Sequence, residues 1–395
     1  MSSPTLADAV DALDRRFPAH LAAEWDRVGL VCGDPSAPVR RVAFAVDPVA
    51  AVVDEALTWG ADLLVTHHPL LLRGVHSVAA TSFKGAVVHR LVRAGCALYT
   101  AHTNADAAAD GVADALAAAI GLVDVRPLVA AAGPALDKHV VFVPVGAGEL
   151  VVDAMSAAGA GALGEYSRCA WTSTGQGTFL PSRSAHPAIG EPGRVERVTE
   201  ARVEMVAPRS ARRAVVEAMC GAHPYEVPAF DVLELADLPG LLGLGRVGRL
   251  ADGCTLDQLA HRVAAALPPT AAGVRYAGDR DGAVRSVAVV GGAGDSELAV
   301  VRASGADVYV TADLRHHPAS EAREQALFEV ATGRRPAATP YLLEVAHAAS
   351  EWLWLPAAAD ALAAELGGSV ETRVSTLTTD PWNGHVPSPT LEGAP

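Results

Sequence analysis

The residues in this chain most able to do chemistry are two adjacent histidines, His67 and His68, which end the run Ala61-Asp62-Leu63-Leu64-Val65-Thr66 and precede Pro69. An apolar run of strand character that stops in imidazoles delivers them to the rim of a sheet, where sites in open α/β folds lie. Imidazole nitrogens ligate borderline divalent metals and move protons near neutral pH. In an extended chain neighbouring side chains point to opposite faces, so the two rings are expected to diverge and to serve separate ions in a wide site. The plain alternative is a turn with two solvated imidazoles.

Two further sets strengthen the metal reading. His347 and Glu351 follow a predicted strand over Pro340–Val345, and on a helix their spacing puts both groups on one face. His102 and Asp106 repeat that spacing after a predicted strand over Ala97–Thr100. Taken singly, a His-xxx-Glu pair is more often a surface ion pair, so the joint occurrence at strand ends carries the weight. His67, His68, Asp106, His347 and Glu351 supply three imidazoles and two carboxylates. That nitrogen and oxygen set suits two divalent ions of zinc, iron or manganese. Two such ions about 3.5–4 Å apart activate a shared water and clamp a leaving oxygen. A last cluster runs from Asp313 through His316 and His317 to Pro318. Asp313 reads either as the N-cap of the next helix or, with His316, as support or acid/base machinery beside the metals.

The elements that must position these residues alternate. Strand Val39–Asp47, helix Pro48–Trp59 closed by Gly60, the His67-His68 strand, helix Phe83–Ala94 and strand Ala97–Thr100 predict parallel βαβ units. A second series resembles the first at a constant offset of 245 residues. Val284-Arg285-Ser286-Val287-Ala288 matches Val39-Arg40-Arg41-Val42-Ala43, and Gly305–Thr311 matches Gly60–Thr66. The same offset sets His347 and Glu351 against His102 and Asp106, and Asp313 against His68. Between the halves, residues 126–236 read strand, helix, strands, helix, strand, the order of a ferredoxin-like module.

The expected fold is therefore α/β, with two pseudo-repeated βαβ halves (residues 1–125 and 237–380) forming the core. An inserted ferredoxin-like α+β module (126–236) interrupts them, and a Pro-, Ser- and Gly-rich tail (381–395) is expected to be disordered past Pro387. The glycines at 159, 161 and 164 form no dinucleotide or Walker fingerprint and read as tight turns.

Composition excludes several classes. A net charge of −14 argues against a nucleic-acid surface, and the cluster Arg209, Arg212 and Arg213 reads as a solvated helix face. The five cysteines have no paired spacing, which fits a reducing cytoplasm and neither a disulfide framework nor a cysteine zinc site. The N-terminal stretch is an amphipathic helix and not a signal-peptide core, and no apolar run is long enough to span a bilayer, so no membrane partner is expected.

The chain resembles the dinuclear-metal-centre hexameric proteins that carry the name GTP cyclohydrolase 1 type 2 homologue, in their longer form. The resemblance lies in Trp25-Asp26 with Gly29-Leu30, Thr66-His67-His68-Pro69, His102-Thr103-Asn104 with Asp106, Thr311 with Asp313 and His316-His317, and His347 with Ser350-Glu351. Within the insert it lies in Gly159-Ala160-Gly161, Gly164, Tyr166, Gly177-Thr178-Phe179 and His223-Pro224-Tyr225-Glu226. It implies metal ligands at His67, His68, Asp106, His347 and Glu351, with Glu351 bridging, and a ring-shaped homohexamer whose sites face an inner cavity. It also implies a metal-dependent hydrolase in which His102 or His316 moves protons, with GTP as a substrate whose imidazole ring opens. No nucleotide motif supports GTP independently. The competing class is a non-enzymatic metal-binding or regulatory assembly whose insert senses a ligand or binds a partner. The chain departs from the family at Ala346 and Ala312, where glycine is common.

Overall fold

A computed structural model describes residues 3–386. The expectation for the tail past Pro387 lies outside the described residues. The fold is mixed α/β with three sheets. Its strands in chain order are β1 (Gly29–Cys32), β2 (Arg41–Ala45), β3 (Leu63–Thr66), β4 (Ala97–Thr100), β5 (Leu122–Ala132), β6 (Leu136–Pro144), β7 (Trp171–Phe179) and β8 (Glu196–Pro208). They continue with β9 (Ala229–Glu234), β10 (Pro239–Thr255), β11 (Arg275–Ala277), β12 (Ala283–Ala293), β13 (Val308–Ala312), β14 (Tyr341–Val345) and β15 (Glu371–Val374).

The chain divides into two compact units, one made of residues up to 131 together with those from 241, the other of residues 132–240. The first holds a five-stranded sheet in the order β1-β4-β3-β2-β15 and a six-stranded sheet in the order β11-β14-β13-β12-β10-β5. In the first sheet β15, β2, β3 and β4 run parallel, with β1 antiparallel at the edge. Strands β3 and β4 are buried along their whole length, because helices cover both faces of a parallel sheet. That burial explains why Leu63-Leu64-Val65 is a continuous apolar run and not an alternating one.

Local signals place the helices. Thr5 and Asp8 form a reciprocal capping box that starts helix Leu6–Arg16, and Leu6, Ala9 and Leu13 bury one stripe of it. Helix Ala50–Trp59 ends at Gly60, whose left-handed φ of 78° satisfies the last carbonyls. Ser82 caps helix Phe83–Ala94.

The two sheets share details at matching positions. Val42 pairs with Leu63, and Val287 pairs with Val308. Asp62 accepts from the backbone N–H groups of Arg40 and Arg41, as Asp307 does from Arg285 and Ser286. The constant offset stops there. Leu63 pairs with Ala97, whereas Val308 pairs with Tyr341, one residue short of the offset. The expected match of His102 with His347 is corrected by this slip. His102 stands before helix Thr103–Ala107, whereas His347 is the first residue of helix His347–Trp352.

The second unit is one antiparallel sheet in the order β7-β8-β6-β9 with helices Gly148–Ala157 and Arg212–Ala222. Both helices pack on the face that carries Val141, Val143, Val203 and Met205. Among the described residues no helix is long and apolar enough to cross a membrane, and the five cysteines are free.

Candidate metal centre

Strand β3 stops at Thr66, and His67 and His68 lie in the bend just beyond it. Their backbone N–H groups still bond to the carbonyls of Ala45 and Val46, and the Thr66 hydroxyl donates to the His68 carbonyl at 3.0 Å. The side chains no longer alternate, so the expected divergence of the two rings is not found. Their centroids are 5.1 Å apart, and both Nε2 atoms approach Glu351, at 3.4 Å for His67 and 3.1 Å for His68. Period-two alternation holds only while the backbone stays extended.

Each imidazole near this point has its Nδ1 against an acceptor. His67, fully buried, donates to the Ala101 carbonyl at 2.9 Å. His68 faces Asp47 at 2.7 Å, His102 faces Asp26 at 2.9 Å, and His347 faces Asp313 at 2.7 Å. A carbonyl or carboxylate oxygen can only accept, so Nδ1 carries the proton and Nε2 is turned to the centre. Asp26 is buried and accepts in addition from the backbone N–H and hydroxyl of Thr103. Burial raises its pKa, but the bonds from His102 and Thr103 outweigh it and hold the carboxyl well below its ordinary range.

The second half contributes helix His347–Trp352, which follows β14. Helical spacing brings His347 Nε2 to 3.0 Å from Glu351 Oε1, and His347 and His68 meet Nε2 to Nε2 at 3.2 Å. Opposite them lies the Gly291-Gly292 segment of β12, where the register with β13 shifts. Gly292 has φ +67°, and a Cβ there would stand 2.4 Å from Glu351 Oε1 and 3.1 Å from His347 Nε2. Its N–H donates to Ser350 Oγ at 2.9 Å, which ties the strand to the helix.

The electrostatics are those of a packed cluster of opposite charges. Burial works against a charge on His68, but Glu351 and Asp47 overcome it and push the group up to about 10. Burial likewise opposes His347, which Glu351 and Asp313 push up to about 9. Burial lifts Asp106 to about 6 against the pull of His67. For Glu351 burial would raise the carboxyl, yet His67, His68 and His347 hold it well below its ordinary value.

Three buried side-chain atoms here make no hydrogen bond of good geometry, although His68 Nε2 stands 3.1 Å from the last: His67 Nε2, Asp106 Oδ1 and Glu351 Oε2. Asp106 Oδ1 is 3.7 Å from His67 Nε2. Unpaired buried polar atoms are costly, and these are of the types that ligate divalent cations, so the donor set fits a metal. The ligand atoms of His67, His68 and His102 lie within 4.8 Å of one another, as do those of His68, His347 and Glu351. A cavity of about 1020 Å³ opens on this cluster, lined by His68, His347, Asp47, Asp313, Arg275 and Trp382 among others.

The structure thus brings together His67, His68, His102, Asp106, His347 and Glu351. Asp313 is not the N-cap of helix His316–Ala331, which begins after Arg315; it holds His347 instead. His316 is not brought to the cluster. It is exposed and lines a neighbouring groove that shares Arg275 with that cavity. Sequence reasoning missed Asp47 and Gly292. Asp47 ends the β2 segment much as the histidines end β3, and Gly291-Gly292 is a glycine pair at the end of an apolar run, which signals a bulge or close approach.

Residues 4–381 match the sequence pattern of Duf34/NIF3 (NGG1p interacting factor 3). The chain belongs to the Duf34/NIF3 family. A Mycobacterium tuberculosis relative called "GTP cyclohydrolase 1 type 2 homolog" is 52% identical over 96% of this chain and 97% of its own. Among solved structures, a Bacillus cereus protein related to NIF3 is 35% identical with a TM-score of 0.76, covering 97% of this chain and 99% of that one. A Staphylococcus aureus protein is 26% identical with a TM-score of 0.80 over the same shares. In this NIF3-family chain the departure at Ala346 is harmless to the backbone, since its φ of −71° and ψ of 138° suit any residue. Ala312 lies within β13, also buried.

Proposed function

We propose that the chain is a divalent-metal-dependent hydrolase with a dinuclear centre. His67 and Asp106 would hold one ion and His68 and His347 the other, with Glu351 available to both. The observation that carries this reading is the trio of buried atoms on His67, Asp106 and Glu351 that make no hydrogen bond of good geometry. When bound, divalent ions of zinc, iron or manganese at this cluster supply Lewis acidity for hydrolysis. Asp47 and Asp313 orient His68 and His347, and Asp26 orients His102. His102, partly open to solvent, takes and returns the proton at Nε2. Asp313 acts through His347 and is a positioning residue, and His316 has no part in the chemistry. The cavity beside His68 and His347 has room for a small-molecule substrate. The relatives' name makes GTP the first compound to try.

The finer architecture belongs to the same reading. The two sheets of the first unit are pseudo-repeats, supported by the equivalent bonds of Asp62 and Asp307. The insert is ferredoxin-like, supported by its strand order β7-β8-β6-β9. The assembly is a cytoplasmic homohexamer, which light scattering tests as a mass six times that of the chain. A non-enzymatic metal-binding assembly with a ligand-sensing insert is the second reading, favoured by a cavity within residues 132–240.

The deciding experiment is metal analysis of chain purified without chelators, with turnover of GTP and phosphoesters by wild type and Glu351→Ala. Bound divalent metal and turnover, both lost in Glu351→Ala, are expected. Wild type free of divalent metal overturns the site. Turnover that survives Glu351→Ala overturns the mechanism, and metal without turnover favours the second reading.

A further inference from the structure

The sheet of residues 132–240 has two faces, and the helices cover one. On the other lie Glu200 and Arg202 of β8, Phe142 of β6 and Gly175 of β7, since Glu200 pairs with Gly175 and Arg202 with Phe142. A carboxylate on a helix-free face normally stays wet, yet Glu200 is only 9% exposed. A cavity of about 600 Å³ sits over it, walled by Phe142, Phe179, Tyr225 and Ile189. That volume is in the range of small-molecule sites.

The carboxylate has been given space and no countercharge; the polar group that meets it is the Tyr225 hydroxyl. It is tucked against the backbone of Gly177, where a Cβ would stand 2.0 Å from Oε2. Among the described residues no lysine, arginine or histidine pairs with it, and Arg202 on the same face is paired with Glu204 at 3.0 Å. The buried Tyr225 hydroxyl makes no hydrogen bond of normal geometry. It lies against the Glu200 carboxylate: after burial, its contact with that carboxylate and the negative charge there push the phenol up to about 12. Tyr225 is itself fixed by its neighbours: its N–H donates to His223 Nδ1 at 3.0 Å, and its ring meets those of His223 and Phe179. The motifs Gly177-Thr178-Phe179 and His223-Pro224-Tyr225-Glu226, which no part of the metal centre uses, therefore meet at this cavity.

We propose that this cavity binds a small organic cation. An ammonium or amidinium group pairs with Glu200, and a flat apolar body lies against Phe142, Phe179 and Tyr225. A buried carboxylate without a countercharge attracts a cation strongly because the surroundings screen it poorly. Aromatic faces add cation–π attraction, although Arg202 also lines the cavity and lies over the Phe142 ring. The site stands independently of the metal centre and would let the insert report on an amine or amidine.

The test is calorimetric titration of the full-length chain with benzamidine and tyramine as cations, and with benzoate and benzyl alcohol as an anion and a neutral of like size. Saturable binding of a cation is expected, at least about tenfold tighter than benzoate, as one charge-assisted bond allows. Glu200→Gln should weaken it by about the same factor while metal content and melting temperature stay put. The proposal is overturned by equal affinity for benzamidine and benzoate, or by undiminished binding in Glu200→Gln. It is equally overturned if neither cation saturates on the order of 10 mM. The charge series on the unmodified chain decides the matter even if the variant fails to fold.

Discussion

Gly292→Ala tests the metal centre without touching a proposed ligand. The added methyl would stand 2.4 Å from Glu351 Oε1 and 3.1 Å from His347 Nε2. Ordinary contact begins near about 3.5 Å, so the carboxylate must retreat by about 1 Å. Metal sites tolerate errors of about 0.2 Å in ligand distance. The helix cannot simply back away, because the Gly292 N–H bonds to Ser350, the residue before Glu351. A left-handed φ on alanine costs about 1–2 kcal/mol, and the overpacking about 1–3 kcal/mol more. Metal affinity should fall by at least the about 10–100-fold that loss of a supporting partner costs. Competition with a chromophoric chelator measures it, alongside unfolding with and without added zinc. Gly291→Ala is the control, since its methyl meets the buried Val112 side chain at 2.6 Å and touches Glu351 at Cγ, at an ordinary 3.6 Å, and not at the carboxylate. It should lose stability and keep the metal. Wild-type metal affinity in Gly292→Ala would refute the placing of Glu351 and His347 on the ions.

Two more expectations follow from the same geometry. In chelator-treated chain, His68 and His347 are raised from 6.5 to about 10 and about 9. A raised folded-state value contributes stability that is present below pH 6.5 and lost as pH climbs through those values. The metal-free melting temperature should therefore drop between about pH 7 and pH 10, and less so in metal-loaded chain, where ions replace the protons. A metal-free melting temperature that rises over this range contradicts the assignment. Asp26→Asn removes one acceptor from a group that serves His102 and both donors of Thr103. It should cost about 1–3 kcal/mol by chemical unfolding and depress turnover with its pH profile shifted, while bound metal is retained. Loss of the metal instead would move His102 into the ligand set.

What could be read from the sequence was whatever depends on neighbours in the chain. Helix Phe83–Ala94 and the Gly60 cap follow from local pattern and conformational freedom, and the structure has both. So does the delivery of His67, His68, Asp106, His347 and Glu351 to strand ends, because an abrupt change from apolar to ligating residues marks a rim. The convergence of the two rings was not legible, since alternation fails where the strand stops. Nor was the slip at β14, since an ungapped offset in the sequence says nothing of strand register. The acceptors Asp26 and Asp47 lie 76 and 21 residues from the histidines they hold. No local rule pairs residues across such distances. His316 carried a motif and no position, and it falls outside the groups whose ligand atoms come together at the cluster.

The division of labour between the two halves follows from who holds whom. His67, His68 and His102 are oriented by Ala101, Asp47 and Asp26, all from the same half as themselves. His347 is oriented by Asp313, again from its own half. Each half therefore fixes its imidazoles without help from the other. Glu351 is different. It reaches His67, His68 and His347 together, and it is the deepest carboxylate of the cluster, 3% exposed. A single buried carboxylate shared among three imidazoles joins two preorganised half-sites into one. In the metal-free chain that joint is a set of ion pairs whose strength depends on protons. On the proposed reading the same atoms would become ligands to cations, and the energy of binding would add to the cohesion of the two sheets. On that reading the centre would be as much a fastening between the two sheets as a place for chemistry, and Glu351 the residue on which both uses turn.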